Sequence, residues 1–188
     1  PFFKKSKTLG YRSRASFKLI ELNQKFKFLK KSINLLDLGC YPGGWSQIAS
    51  KEITKGRILS IDIKPMDPIR NVHFLNYDIF DTVTKEKIVN FFEGNLDVII
   101  SDMAADTTGN KSLDAIRTNQ LCYGLINFSK DILKPKGVLV SKIFMGEDFL
   151  EVKNLAKSIF KKVNFFKPES SRKESKETYL HCEILKSL

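Results

Sequence analysis

The sequence predicts an α/β domain: an open, mostly parallel sheet with helices on both faces and an antiparallel last strand. Three observations lead there. Ile33 to Ser50 reads INLLDLGCYPGGWSQIAS, an apolar run, a glycine-rich break and a return to ordered structure, which is strand, turn, helix. Short apolar runs then alternate with longer amphipathic stretches through most of the 188 residues. Finally, the linker before the last apolar run is too short for a helical crossover, so that strand should enter antiparallel.

Taken in order, residues 1–13 form a basic arm on a single domain spanning residues 1–188. The chain opens at Pro1 rather than Met, so a preceding extension is expected. Lys4, Lys5, Lys7, Arg12 and Arg14 are interleaved with Phe2, Phe3 and Tyr11. Cations that meet phosphate, mixed with aromatics that stack on bases, suit RNA, although Pro1 to Lys7 should fray. Ser13 to Lys31 carries apolar residues near helical spacing, and Lys18 among them reads by position as a surface lysine.

The turn after Leu35–Leu38 lies where an open sheet binds ligands. Its spacing rejects two of them. Position two after Gly39 is Tyr41, so there is no dinucleotide fingerprint, and Gly44 is followed by Trp45-Ser46, so there is no P-loop. Gly39, Gly43 and Gly44 with an acidic residue just before them suit a nucleoside ligand without a pyrophosphate, such as S-adenosyl-L-methionine. From these residues alone an ordinary tight turn fits equally well.

Arg57–Ile61 is the second strand and ends at Asp62, about 20 residues beyond Gly39, where a carboxylate meets ribose hydroxyls. Val72–Asn76 is the third, and Asp78 after it can accept from an adenine amino group or serve as a cap. Thr84–Phe92 is helical, and Leu96–Ile100 is a buried strand closed by Asp102 over the ligand crevice. Residues 104–112 read as a mobile loop, and Asp114 to Leu133 as a long helix. Val138–Phe144 is a strand with Lys142 inside it. A lysine among residues this apolar needs carboxylate partners or a lowered pKa, and either marks a site. Phe149–Phe160 is a helix and Val163–Phe166 a strand. Lys167–Lys176 is a basic linker, and Thr178–Leu185 is the last strand, entered through Glu177.

Composition narrows the function. Thirty-two Lys and Arg against 21 Asp and Glu give +11, which points to a polyanionic partner, RNA first. No apolar run approaches the ~20 residues of a membrane span, so no membrane partner is expected. Cys40, Cys122 and Cys182 are odd in number and far apart, and His73 and His181 have no ligand-like spacing. An intracellular reducing compartment, no metal and a monomer are therefore expected.

Six segments carry a resemblance: GYRSRASFKLIEL, LLDLGCYPGGWSQ, IDIKPMDPI, VIISDMAADTTG, LVSKIF and KPESSRKESKETYL, from Gly10 to Leu180. Together they resemble the FtsJ-like RNA ribose 2′-O-methyltransferases, nearest in type to those acting on large-subunit ribosomal RNA. The resemblance implies a seven-stranded Rossmann-like methyltransferase fold binding S-adenosyl-L-methionine. It implies a catalytic tetrad at Lys18, Asp102, Lys142 and Glu177, with cofactor contacts at Gly43, Trp45, Asp62, Asp78 and Asp102. It also implies a uridine of ribosomal RNA as target. Lys142 is the implied base, or else it positions the hydroxyl. The chain departs from the family at Cys40-Tyr41 and at Ala105-Asp106. The same reaction on a tRNA anticodon loop, a non-catalytic RNA-binding assembly factor and a small-molecule methyltransferase stand as rivals.

Overall fold

The computed structural model describes residues 1–187. One sheet of seven strands forms the centre, in the order β3-β2-β1-β4-β5-β7-β6. The strands are β1 (Leu35–Leu38), β2 (Ile58–Asp62), β3 (Val72–Asn76), β4 (Leu96–Ser101), β5 (Leu133–Phe144), β6 (Phe160–Phe166) and β7 (Glu177–Leu185). The first five pair in parallel. β7 lies antiparallel between β5 and β6, as its short linker requires.

The helices are α1 (Phe2–Thr8), α2 (Ala15–Phe26), α3 (Gly44–Glu52), α4 (Thr82–Phe92), α5 (Lys111–Ile132) and α6 (Phe149–Ile159). Two cores result, one on each face of the sheet. Leu36 and Leu38 of β1 face Ile88, Cys122, Leu125 and Ala156, from α4, α5 and α6. Leu35 faces Leu19, Leu22, Trp45 and Ile48, from α2 and α3. All four β1 residues are thus buried, which is why a central parallel strand reads as an unbroken apolar run. Each buried leucine contributes about 1.5–3 kcal/mol.

Three expectations shift. The first residues do not fray: Phe2 packs on Phe17 at 5.4 Å between ring centroids, Ser6 is buried, and Tyr11 N–H returns to the Ser6 carbonyl. α2 stops five residues short of Lys31, because Lys27 turns left-handed and Leu29 N–H bonds to the Asn23 side chain. That frees Phe28 and Leu29 to enter the core as a loop. The segment expected to be mobile is tied to α5, through Thr108 on the Asp114 carboxylate and Ala105 N–H on Thr118 Oγ1.

Strand order reverses between β1 and β4, the switch point where an open α/β sheet forms its ligand crevice. The carboxyl ends of β2, β1 and β4 carry Asp62, the glycine loop and Asp102 respectively. Asp78 follows β3 by two residues.

Candidate active site

The glycine loop is shaped by contacts that leave no room for side chains. Gly39 has φ +72°, and a Cβ there would lie 2.0 Å from Met103 Cγ. Gly43 has φ +116°, with Arg12 Nη1 2.9 Å from where its Cβ would be. Both need glycine for conformation and for space. α3 begins at Gly44, so the main-chain N–H groups of Gly44 and Trp45 have no partner within the helix. The Trp45 indole itself is turned inward. It is buried, donates to the Ala15 carbonyl at 2.8 Å and packs on Tyr179. What Trp45 can offer a ligand is therefore its backbone.

Asp37, the acidic residue before the glycines, is also not in the crevice. It is 1% exposed and accepts from Ser46 Oγ at 2.6 Å, with Ser46 and Ser60 hydroxyls 2.7 Å apart. It ties β1 to α3 and β2. Burial pushes its pKa up to about 7 against the Ser46 hydrogen bond, with Asp102 and Asp62 adding to the rise.

The cofactor set fits what remains. Asp62 receives Tyr41 N–H on Oδ2 and Lys64 N–H on Oδ1, each at 2.8 Å. Those bonds fix the carboxylate and leave a lone pair on each oxygen, which a vicinal diol can use. Asp78 Oδ1 accepts from Phe80 N–H at 3.0 Å in a local turn. The helix cap that its position also allowed belongs to Asp81. Asp62 ends β2, and Asp78 and Asp102 follow β3 and β4, at the sheet edge where α3 starts, a donor set suited to a nucleoside bearing an amino acid.

The four residues of the implied tetrad come together beside it. Lys18 rises from α2, Asp102 follows β4, Lys142 lies in β5 and Glu177 opens β7. Lys18 Nζ donates to Glu177 Oε2 at 2.8 Å and Oε1 at 3.1 Å. Lys142 Nζ lies 3.2 Å from Glu177 Oε1 and 3.3 Å from Asp102 Oδ1. All four side chains are under one-fifth exposed, which is tolerable because two ammoniums offset two carboxylates. Lys18, which looks like a surface residue in the sequence, is 11% exposed.

Opposite charges set the protonation states. Burial pushes the Lys142 ammonium down, but Asp102 and Glu177 outweigh it and the net shift is upward. Burial pushes the Glu177 carboxyl up, yet Lys142 and Lys18 draw it down to about 2. The sign left open by sequence is therefore set: Lys142 is a held ammonium between two anions.

Further residues, to which the sequence assigned no role, join the cluster. The Tyr179 hydroxyl donates to Asp102 Oδ1, and Tyr179 lies opposite Lys142 in the β5–β7 register. Burial and the neighbouring carboxylates hold its phenol far above the usual range, so it stays a donor. Ser171 Oγ donates to Glu177 Oε2 at 3.0 Å. The loop bearing Ser171 is clamped to α2 by Glu21, whose carboxylate takes Glu169 N–H at 2.8 Å, Ser170 N–H at 3.2 Å and the Ser170 hydroxyl. Glu21, Ser171 and Tyr179 all lie in segments that carry the resemblance, which assigned them no role.

Comparison with known proteins points the same way. The model of the FtsJ-like methyltransferase family matches residues 11–184. The ribosomal RNA large subunit methyltransferase E of Pelagibacter ubique is 46% identical over 185 residues, covering 98% of this chain and 91% of that protein. The protein of the same name from Rickettsia akari is 44% identical over 186 residues, covering 96% and 82%. A ribosomal RNA methyltransferase from Plasmodium falciparum has a similar crystal structure, with TM-score 0.83 and 34% identity over 93% of this chain and 98% of that one. Human methyltransferase-like protein 13, in complex with SAH, shares the fold at TM-score 0.64 and 17% identity, over 90% of this chain and 79% of that one.

Proposed function

This chain belongs to the FtsJ-like methyltransferase family, and we propose that it methylates a ribose 2′-hydroxyl of ribosomal RNA, at a large-subunit uridine. The observation that carries the reading is the closed Lys18–Glu177–Lys142–Asp102 cluster at the edge of the crevice. The names of its relatives support ribosomal RNA as the substrate, and the charge of +11 suits any RNA. The proposal extends to a monomer acting on RNA within a ribosomal particle, in a reducing intracellular compartment. Three free, buried cysteines are consistent with that last point.

Asp62, Asp78 and the N–H groups of Gly44 and Trp45 would hold S-adenosyl-L-methionine. When bound, it supplies an electrophilic methyl on a sulfonium, whose positive charge opposes the carboxylates' hold on the Lys142 proton. The protein's own task is alignment. A ribose hydroxyl is a poor nucleophile, and a one-step displacement gains much of its rate from fixed geometry. When the 2′-hydroxyl attacks, its proton must leave: Lys142, once it has lost one proton to solvent, is placed to take it as the amine, and Asp102 and Glu177 stabilise the ammonium that results. Lys18 and Ser171 fix Glu177, and Tyr179 fixes Asp102, so neither carboxylate can swing away from Lys142.

Transfer of labelled methyl to ribosomal RNA tests this. Lys142→Ala should lower it by about 10²–10⁴-fold, the range for losing a positioned acid–base group. Unchanged transfer would sink the reading. Mapping 2′-O-methyl sites in cells with and without the protein separates ribosomal RNA from a tRNA anticodon loop. S-adenosyl-L-methionine binding by the unaltered protein, read by calorimetry, separates an enzyme from a non-catalytic assembly factor, which would show none.

A further inference from the structure

Next to the crevice lies a second cavity, of about 600 Å³, lined by Arg12, Tyr41, Pro42, Lys64, Pro65 and Asp67. None of the residues assigned to the cofactor lines it. Tyr41 is 51% exposed, unusual for an aromatic in a glycine loop, and Lys64 Nζ stands 5.6 Å from its ring centroid. The Arg12 guanidinium braces both walls by donating to the carbonyls of Pro42 at 3.2 Å, Asp67 at 2.7 Å and Pro68 at 2.8 Å. It meets carbonyls rather than a carboxylate. Two cations against Asp67 leave the cavity with a surplus of positive charge.

The walls are anchored from the cofactor side. Tyr41 N–H and Lys64 N–H are the two donors that fix the Asp62 carboxylate. Their side chains are thus presented by backbone that is already held. An aromatic face, two proline rings and an ammonium with no carboxylate partner among the described residues are what a nucleotide recognises: the base stacks and the phosphate pairs. Arg12 and Lys18 are six residues apart on one chain, so cavity and tetrad lie within about 20 Å.

We propose that this cavity is a subsite for one unpaired nucleotide of the RNA strand, close to the target, with its base on Tyr41 and its phosphate on Lys64. The proposal rests on the RNA-methylating reading above and adds a place where the strand is gripped outside the reaction centre.

The test compares the whole chain with Tyr41→Ala, Tyr41→Phe and Lys64→Ala. The probe is a labelled single-stranded oligouridylate, and its affinity is read by anisotropy across a salt series. S-adenosyl-L-methionine affinity is read by calorimetry on the same samples. Tyr41→Ala should weaken oligonucleotide binding about tenfold, the effect of losing one stacked base, while Tyr41→Phe keeps it. Lys64→Ala should lower the salt slope by about one counterion. Cofactor affinity should stay within twofold in all three, which also reports that the loop is folded. Unchanged oligonucleotide affinity and salt slope would overturn the subsite. So would a loss confined to cofactor affinity, which would give the cavity to the cofactor. Because binding is read without turnover, a wild-type protein that binds RNA but transfers no methyl would count against the proposed reaction and leave the subsite standing.

Discussion

Beneath the glycine loop and beneath the reaction centre the protein buries a carboxylate, and it treats the two in opposite ways. Asp37 is surrounded by hydroxyls, Ser46 and through it Ser60. Hydroxyls solvate a charge without neutralising it, and burial raises the group to about 7. Glu177 is nearly as buried but faces two ammoniums, which draw it down to about 2. Burial has the same sign at both, so the partner's charge decides the outcome. The first carboxylate can be protonated near neutrality and fastens the scaffold; the second is a permanent anion and organises the tetrad.

Removing the second should have the larger effect. Glu177→Gln keeps the shape but leaves Lys18 and Lys142 without their shared anion, at a cost of about 3–5 kcal/mol near pH 7. The sign follows from a lowered pKa. The stabilisation is fully present above about 4.5 and is lost as pH falls toward about 2, so denaturant melts of the two proteins should converge in acid. Equal stability at pH 7 would refute the arrangement.

Asp37→Asn should move stability the other way. A raised carboxyl pKa means that the folded state holds a proton the unfolded chain has released, so wild-type stability falls from about pH 4 to about 7 and then levels. The swing at Asp37 is on the order of 4 kcal/mol. The variant should lack this slope and gain on the wild type as pH rises; parallel pH profiles would remove the contrast. The smallest effect belongs to Ser171→Ala. It deletes one hydrogen bond to a charged group, about 1.5 kcal/mol, and should lower kcat about tenfold with KM for S-adenosyl-L-methionine unchanged. A rise in that KM instead would mean that the serine serves the cofactor half.

The same contrast explains what could be read before the fold was seen. The cofactor half is made of neighbours in sequence. Gly39, Gly43 and the α3 start lie within one turn, and Asp62 closes the adjacent strand, so spacing alone suggested a nucleoside site there beside the equally good reading of an ordinary tight turn. The strands were legible for a related reason: β1, β2 and β4 are buried on both faces and read as short apolar runs. The tetrad joins residues from four elements, and no local pattern marks a helix lysine such as Lys18 as buried. Lys142 and Asp102 stood out by their strand positions, but Lys18 and Glu177 joined them only through the family resemblance. Tyr179, Ser171 and Glu21 lie in segments that carry the resemblance but had no role assigned: Tyr179 reaches across to Asp102 and Glu21 holds a loop near residue 170, both contacts between distant segments, and Ser171 meets Glu177 only once the linker folds back. The α1 helix was missed because Phe17, the ring that holds Phe2, belongs to the following helix.

One feature of the topology bears on how the protein comes to life during synthesis. Among the described residues β7 is the last strand in sequence, yet it takes an interior place in the sheet, and β6 pairs with β7 alone there. It also brings Glu177 and Tyr179. A nascent chain can therefore assemble its parallel half, glycine loop and Asp62 included, while the reaction centre is still lacking one tetrad member and the phenol that fixes another. Closing a contact as distant as Lys18 to Glu177 is a late, entropically costly event. The cluster is complete only once the same strand insertion that finishes the described sheet has taken place.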